Sequence, residues 1–147
     1  MKSFIKYDIF SEYVNGNKKD KFTILKNFIE DNDVFSLNYF LKKGHEIDIV
    51  PEYGGDTLLH CACYIGHIEP VKLLINYKVV DINELDSVLR TPLHMAIKFG
   101  QKKIVNYLLQ HGADPSIRCI HDELPFKSAI DRKSGEIIEL LLKKRLN

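Results

Sequence analysis

Four residues in one short stretch carry groups able to do chemistry: His60, Cys61, Cys63 and His67. Two thiols and two imidazoles are a zinc donor set, and a thiolate beside an imidazole is a nucleophile. Cys119 completes the three cysteines of the chain and is the one distant group that would join such a cluster. The spacing argues against both chemistries. Zinc cysteines come as C-x₂₋₄-C with a matching second pair, whereas Cys61-x-Cys63 on a helix sends its thiols to different sides. Cysteine packs well as a small hydrophobe, so core packing is the expected role of both. The chain holds no Gly-rich phosphate loop, no G-x-S-x-G elbow and no H-E-x-x-H. No catalytic residue, metal ligand or cofactor is assigned from the sequence.

The elements that must position these side chains are legible from a period. Thr57-Leu58-Leu59-His60 returns as Thr91-Pro92-Leu93-His94, 34 positions later. The residues after each tetrad match too: Ala62 with Ala96, Gly66 with Gly100, Val71 with Val105, and the pair Leu73-Leu74 with the pair Leu108-Leu109. Weaker copies flank the pair, at Thr23-Ile24-Leu25-Lys26 and at Leu124-Pro125-Phe126-Lys127-Ser128-Ala129.

This pattern resembles the ankyrin repeat, a unit of about 33 residues with a T-P-L-H-x-A signature. The resemblance implies an all-α solenoid of stacked helix-turn-helix units joined by short β-turn or hairpin loops. Four units are expected, at about 18–51, 52–85, 86–118 and 119–147, the outer two acting as caps. Residues 1–17 lie outside them, and their apolar spacing fits a short amphipathic helix covering the first unit.

Within a unit the residue types have physical roles. Thr57 and Thr91 suit helix N-caps, and Pro92 suits a first helical position, where its missing N–H is no loss. Leu93, Ala96 and Ile97 share one face, as Leu59, Ala62 and Cys63 do one unit earlier. Gly66, Gly100, Gly112 and Gly44 are placed to end helices. The resemblance implies that the His60 and His94 rings bond the backbone of adjacent turns. No unit can bury its apolar stripe alone, so stability has to come from stacking.

Three departures stand out. Leu89 occupies the place taken by Gly55 one unit earlier, which predicts a strained or reshaped loop at 86–90. Lys78-Val79-Val80 inserts a residue between units and predicts a bulge at 77–81. Pro70 falls in the first turn of a second helix, where proline is tolerated.

Composition excludes several function classes. A net charge of +1 gives no electrostatic case for nucleic acid. No apolar run approaches the roughly 18 residues of a membrane span, and Lys6 and Asp8 interrupt any secretory core. A cytoplasmic, reducing compartment and a monomeric free state are expected, with no membrane partner.

The resemblance places partner contacts on the turn tips and on the exposed face of each first helix. On this chain the tips offer Tyr53, Asp56, Val88, Arg90, His121 and Glu123, and the helices offer Tyr64, Ile65, Lys98, Phe99 and Arg132. Tyr53, Tyr64 and Phe99 form the aromatic centre of this stripe, with Arg90, Lys98 and Arg132 on a charged flank. Packing of Ile65 and Phe99 against a neighbouring helix is the competing role for those two.

The expected function is a non-catalytic adaptor or inhibitor that binds a protein partner. Short ankyrin proteins of this kind resemble antagonists that viruses or intracellular bacteria turn on host targets, and a Lys-, Ile- and Asn-heavy composition suits that group. The alternative is a structural subunit or homo-oligomer assembled through residues 1–17 and the caps.

Overall fold

The computed structural model describes residues 18–43 and 55–146. The extension 1–17, Gly44 and Tyr53 lie outside the described residues. Among those described, eight helices run in four pairs: α1 (Lys18–Glu30) with α2 (Val34–Lys42), α3 (Leu58–Ile65) with α4 (Ile68–Asn76), α5 (Pro92–Lys98) with α6 (Lys102–Gln110), and α7 (Pro125–Asp131) with α8 (Gly135–Leu146). Each pair packs on itself. Across pairs, α1, α3, α5 and α7 stack in one layer, while α2, α4, α6 and α8 stack in a second.

Local chemistry explains where the central helices begin and end. Thr57 and Thr91 are extended, with ψ of 167° and 164°, and each side chain accepts from the N–H of the histidine three residues on. That histidine returns the contact to the threonine backbone N–H, closing a reciprocal cap. Gly66 stops α3 at φ 95°, and Gly100 comes just after α5 at φ 72°, a left-handed turn that a side chain resists.

Both glycines also admit a neighbour. A Cβ on Gly66 would meet the Gln101 side chain, and one on Gly100 would lie 2.6 Å from Arg132 Nη2. These are closer than atoms can approach without moving.

The core runs along the seam between layers. Leu59, Ala62 and Cys63 of α3 are fully buried with Leu93, Ala96 and Ile97 of α5, and Val71, Leu74, Ile104, Val105 and Leu108 meet them from the second layer. Alanines at the helix crossings let backbones approach, and neighbours supply the burial that no pair could find alone. Pro70 is buried in the first turn of α4, as its lack of an N–H allows. Val79 and Val80 are packed against the core, and the bulge before them turns through Lys78 at φ 53°.

The outer pairs depart from the central ones. Thr23 lies inside α1 and is not its cap, because that helix begins at Lys18. Leu124 precedes α7 with no side-chain cap. Lys26 and Lys127 stand where the buried histidines stand in the central pairs, and both instead form surface ion pairs, with Glu30 and Asp131.

Candidate protein-binding surface

The turns between pairs are held from below by the two buried histidines. His60 is fully buried, and its Nδ1 accepts from the Thr57 N–H at 3.3 Å with Thr57 Oγ1 at 2.9 Å. That leaves Nε2 as the protonated nitrogen, 2.8 Å from the Arg90 carbonyl oxygen to which it donates. His94 repeats this with Thr91 and, at 3.4 Å, with the Glu123 carbonyl. Burial lowers both imidazole pKa values below the ordinary 6.5, so each ring is neutral and has a structural role.

The first described tip is the loop 86–90. Asp86 is buried and its carboxylate collects three donors: the Val88 N–H at 2.9 Å, the Arg90 N–H at 2.8 Å and Arg90 Nε at 2.7 Å. Burial alone would raise its pKa, but these donated bonds outweigh it and hold the carboxyl below its ordinary value. The clamp sustains Leu89 at φ 57°, the conformation that Gly55 adopts one unit earlier at φ 76°. At Gly55 a Cβ would sit 2.6 Å from the Ser87 backbone nitrogen. The strain expected from a leucine in a glycine place is therefore present.

The next tip copies the frame. Cys119 N–H donates to the Glu123 carbonyl as Asp86 N–H donates to that of Arg90, and the Ile120 N–H joins the two tips by donating to the Val88 carbonyl at 2.9 Å.

The expected surface residues take up distinct positions on this frame. Asp56, His121 and Glu123 are exposed at the tips. Val88 and Arg90 are half-buried; Arg90 is tied to Asp86. On the first-helix layer, Tyr64 and Phe99 are 43% and 42% exposed and meet edge to face, with ring centroids 5.3 Å apart. Ile65 is half-buried against the core. Lys98 is exposed, and its Nζ lies 6.0 Å from the Phe99 ring centroid. Arg132 is exposed as well, yet its Nη1 donates to the Lys98 carbonyl at 2.8 Å and so caps the end of α5.

Several positions that shape this surface do not stand out in the sequence as part of it. Asp86 is the hub of its tip, and an Asp that opens a turn by accepting from the residue two on is a recognisable Asx signal. Gln101 donates to the Tyr64 carbonyl at 3.4 Å, doing for α3 what Arg132 does for α5. Ile120 exposes an apolar side chain at its tip, at 57%, as does Leu89, already marked by its glycine place, at 46%. No pattern in one sequence marks Gln101 or Ile120.

Of the groups that invited a chemical reading, His60, Cys61 and Cys63 are placed apart from water. Cys61 and Cys63 lie in the core; burial pushes the Cys61 thiol up to about 11 and raises that of Cys63 further. Thiols so raised are poor nucleophiles near neutral pH. His67 is half-buried just before α4, and the half-buried Cys119 stands at a tip two units further on. Among the described residues no three His, Cys, Asp or Glu side chains converge as metal ligands, and no helix is long and apolar enough to cross a membrane.

Comparison with known proteins agrees with this architecture. A family model described as ankyrin repeats (3 copies) matches residues 18–119. The ankyrin repeat protein YahD of Escherichia coli (strain K12) is 32% identical over 134 residues, covering 86% of this chain and 66% of YahD. Human protein phosphatase 1 regulatory subunit 27 is 38% identical over 86 residues, 58% of this chain and 54% of that protein. The ankyrin repeat protein FPV244 of fowlpox virus (strain NVSL) is 37% identical over 70 residues, 48% of this chain and 10% of the viral one. This chain thus spans less than two thirds of each of these relatives. With the repeat frame, its buried histidine braces and the matched residues in agreement, the chain belongs to the ankyrin repeat family, whose repeats serve as protein–protein interaction modules.

Proposed function

We propose that this protein is a non-catalytic adaptor or inhibitor that docks a protein partner on its turn tips and first-helix layer. The observation that carries the reading is the Tyr64–Phe99 pair. Two aromatic rings from successive units stand together on one face, each more than two fifths exposed. Aromatic side chains that a partner can desolvate dominate interface energetics. Lys98 and Arg132 border the pair, while Asp56 and Glu123 stand at the tips, so both signs of charge are available to fix orientation. Arg90 supports the tip from within, and Ile65 packs against the core. The reading extends to a target in a host cell, in keeping with relatives that include a poxvirus protein.

The test is capture of partners by the whole chain from candidate host lysates, side by side with a Tyr64→Ala, Phe99→Ala variant. Every partner lost by the variant is then measured directly with purified protein.

A further inference from the structure

Among the described residues no further helix pair stacks on the outer face of α7 and α8, and the preceding junction shows what covers such a face. Leu109 on α6 is only 4% exposed, and α6 packs against α8. Its counterpart one unit on, Leu142, is 43% exposed. Beside Leu142 a groove of about 340 Å³ opens between α7, α8 and the loop before them. Pro115, Leu124, Phe126 and Leu142 give it an apolar lining, Arg118 and Arg145 also line it, and among the described residues no carboxylate does. Arg118 donates to the Asp122 carbonyl at 2.6 Å, with the exposed Asp122 carboxylate 3.6 Å away. Lys143, Lys144 and Arg145 together make the last turn of α8 basic.

We propose that this groove docks an acidic amphipathic helix of a partner protein, laid where a further unit would stack. The helical shape comes from the earlier junctions, at each of which the equivalent face is covered by the helices of the next pair. The acidic character comes from charge, since apolar side chains entering the groove would carry their flanking residues past Arg118 and Arg145. A second copy of this chain fits poorly. Two such faces brought together would add Arg118 and Arg145 of one copy to those of the other, with no carboxylate among the described lining residues to pair them, and like charges at an interface are unfavourable. The volume is enough for a few anchoring side chains. None of these residues belongs to the Tyr64–Phe99 surface, so the two sites stand or fall separately.

The probe is a displayed library of random short helical peptides, selected on the whole chain and counter-screened on Leu142→Glu and Arg145→Glu chains. Both positions are exposed, and thermal unfolding of each variant verifies that it is folded. The expected binders carry apolar residues at helical spacing flanked by Asp or Glu. Arg145→Glu should weaken them about tenfold or more, Leu142→Glu should abolish them, and Tyr64→Ala should leave them unchanged. Failure to select any binder overturns the proposal, as do binders without acidic preference or binders indifferent to both variants. Sedimentation showing a dimer that Leu142→Glu dissolves would assign the face to self-association and overturn it equally.

Discussion

His60 Nε2 donates to the carbonyl oxygen of Arg90 at 2.8 Å across 30 positions of sequence. A fully buried ring in one unit thereby fixes the turn of the next. The same turn carries the buried Asp86 carboxylate, the left-handed Leu89 and the Val88 carbonyl that receives Ile120. The repeat signature thus sets the geometry of the tips, while the residues around it present a surface.

Replacing His60 by Ala leaves the Thr57 N–H short of a partner inside the protein and the Arg90 carbonyl with the Asp86 N–H alone. The expected loss is about 1–3 kcal/mol, read from the shift in urea unfolding midpoint. His94→Ala should cost less, because its bond to Glu123 is longer, at 3.4 Å. A His60 variant as stable as the parent chain would show that the brace contributes nothing.

The same two rings give stability a pH dependence. Burial lowers both imidazole pKa values in the folded chain, while the unfolded chain titrates near the ordinary 6.5. Below that value the unfolded state binds the extra protons, so stability present above it is lost as pH falls toward the lowered folded values. Asp86 adds a second loss at lower pH, as protons reach a carboxyl whose folded pKa lies below the ordinary 3.8. Thermal unfolding measured from about pH 8 down to about pH 5 should show the first decline, flattened in a chain lacking both histidines.

Leu89 and Gly55 share a place in the unit but not a tolerance. Leu89→Gly relieves a left-handed leucine, worth about 1–2 kcal/mol, against a loss of about 0.5–1 kcal/mol in chain entropy. The net is near zero or slightly stabilising. Gly55→Ala should instead cost about 1–3 kcal/mol, since its Cβ meets backbone at 2.6 Å. Equilibrium unfolding of the two variants side by side checks the contrast.

Asp86→Ala releases three donors at once and should destabilise the chain by about 3 kcal/mol. Arg90→Ala removes one of them and should cost less, with a favourable coupling energy in the double-mutant cycle. Additive effects would mean that the clamp is not a unit.

The period alone made the fold legible, because Thr, Leu, Ala, His and Gly recur for reasons internal to each unit. The caps at Thr57 and Thr91, the histidine braces, the strained Leu89 and the bulge near Lys78 all come from that register. Side-chain reach is something a repeat does not encode. Arg90 is as polar as any tip residue in sequence, yet its guanidinium is held by Asp86. Arg132 reaches back across 34 positions to cap α5, and Gln101 does the same for α3. The end of α1 nearest residue 18 also escaped the register, since Thr23 has the place of a cap but lies within a longer helix.

The central claim is that the Tyr64–Phe99 face binds a partner while the stack beneath it carries the stability. It is tested most directly by affinity and unfolding measured together on the Tyr64→Ala, Phe99→Ala chain. For a captured partner, the binding constant should weaken by about a hundredfold or more, while the loss of an exposed aromatic pair shifts stability by only about 0.5–1.5 kcal/mol. Unchanged affinity, or a loss of affinity matched by a collapse of the fold, would contradict it.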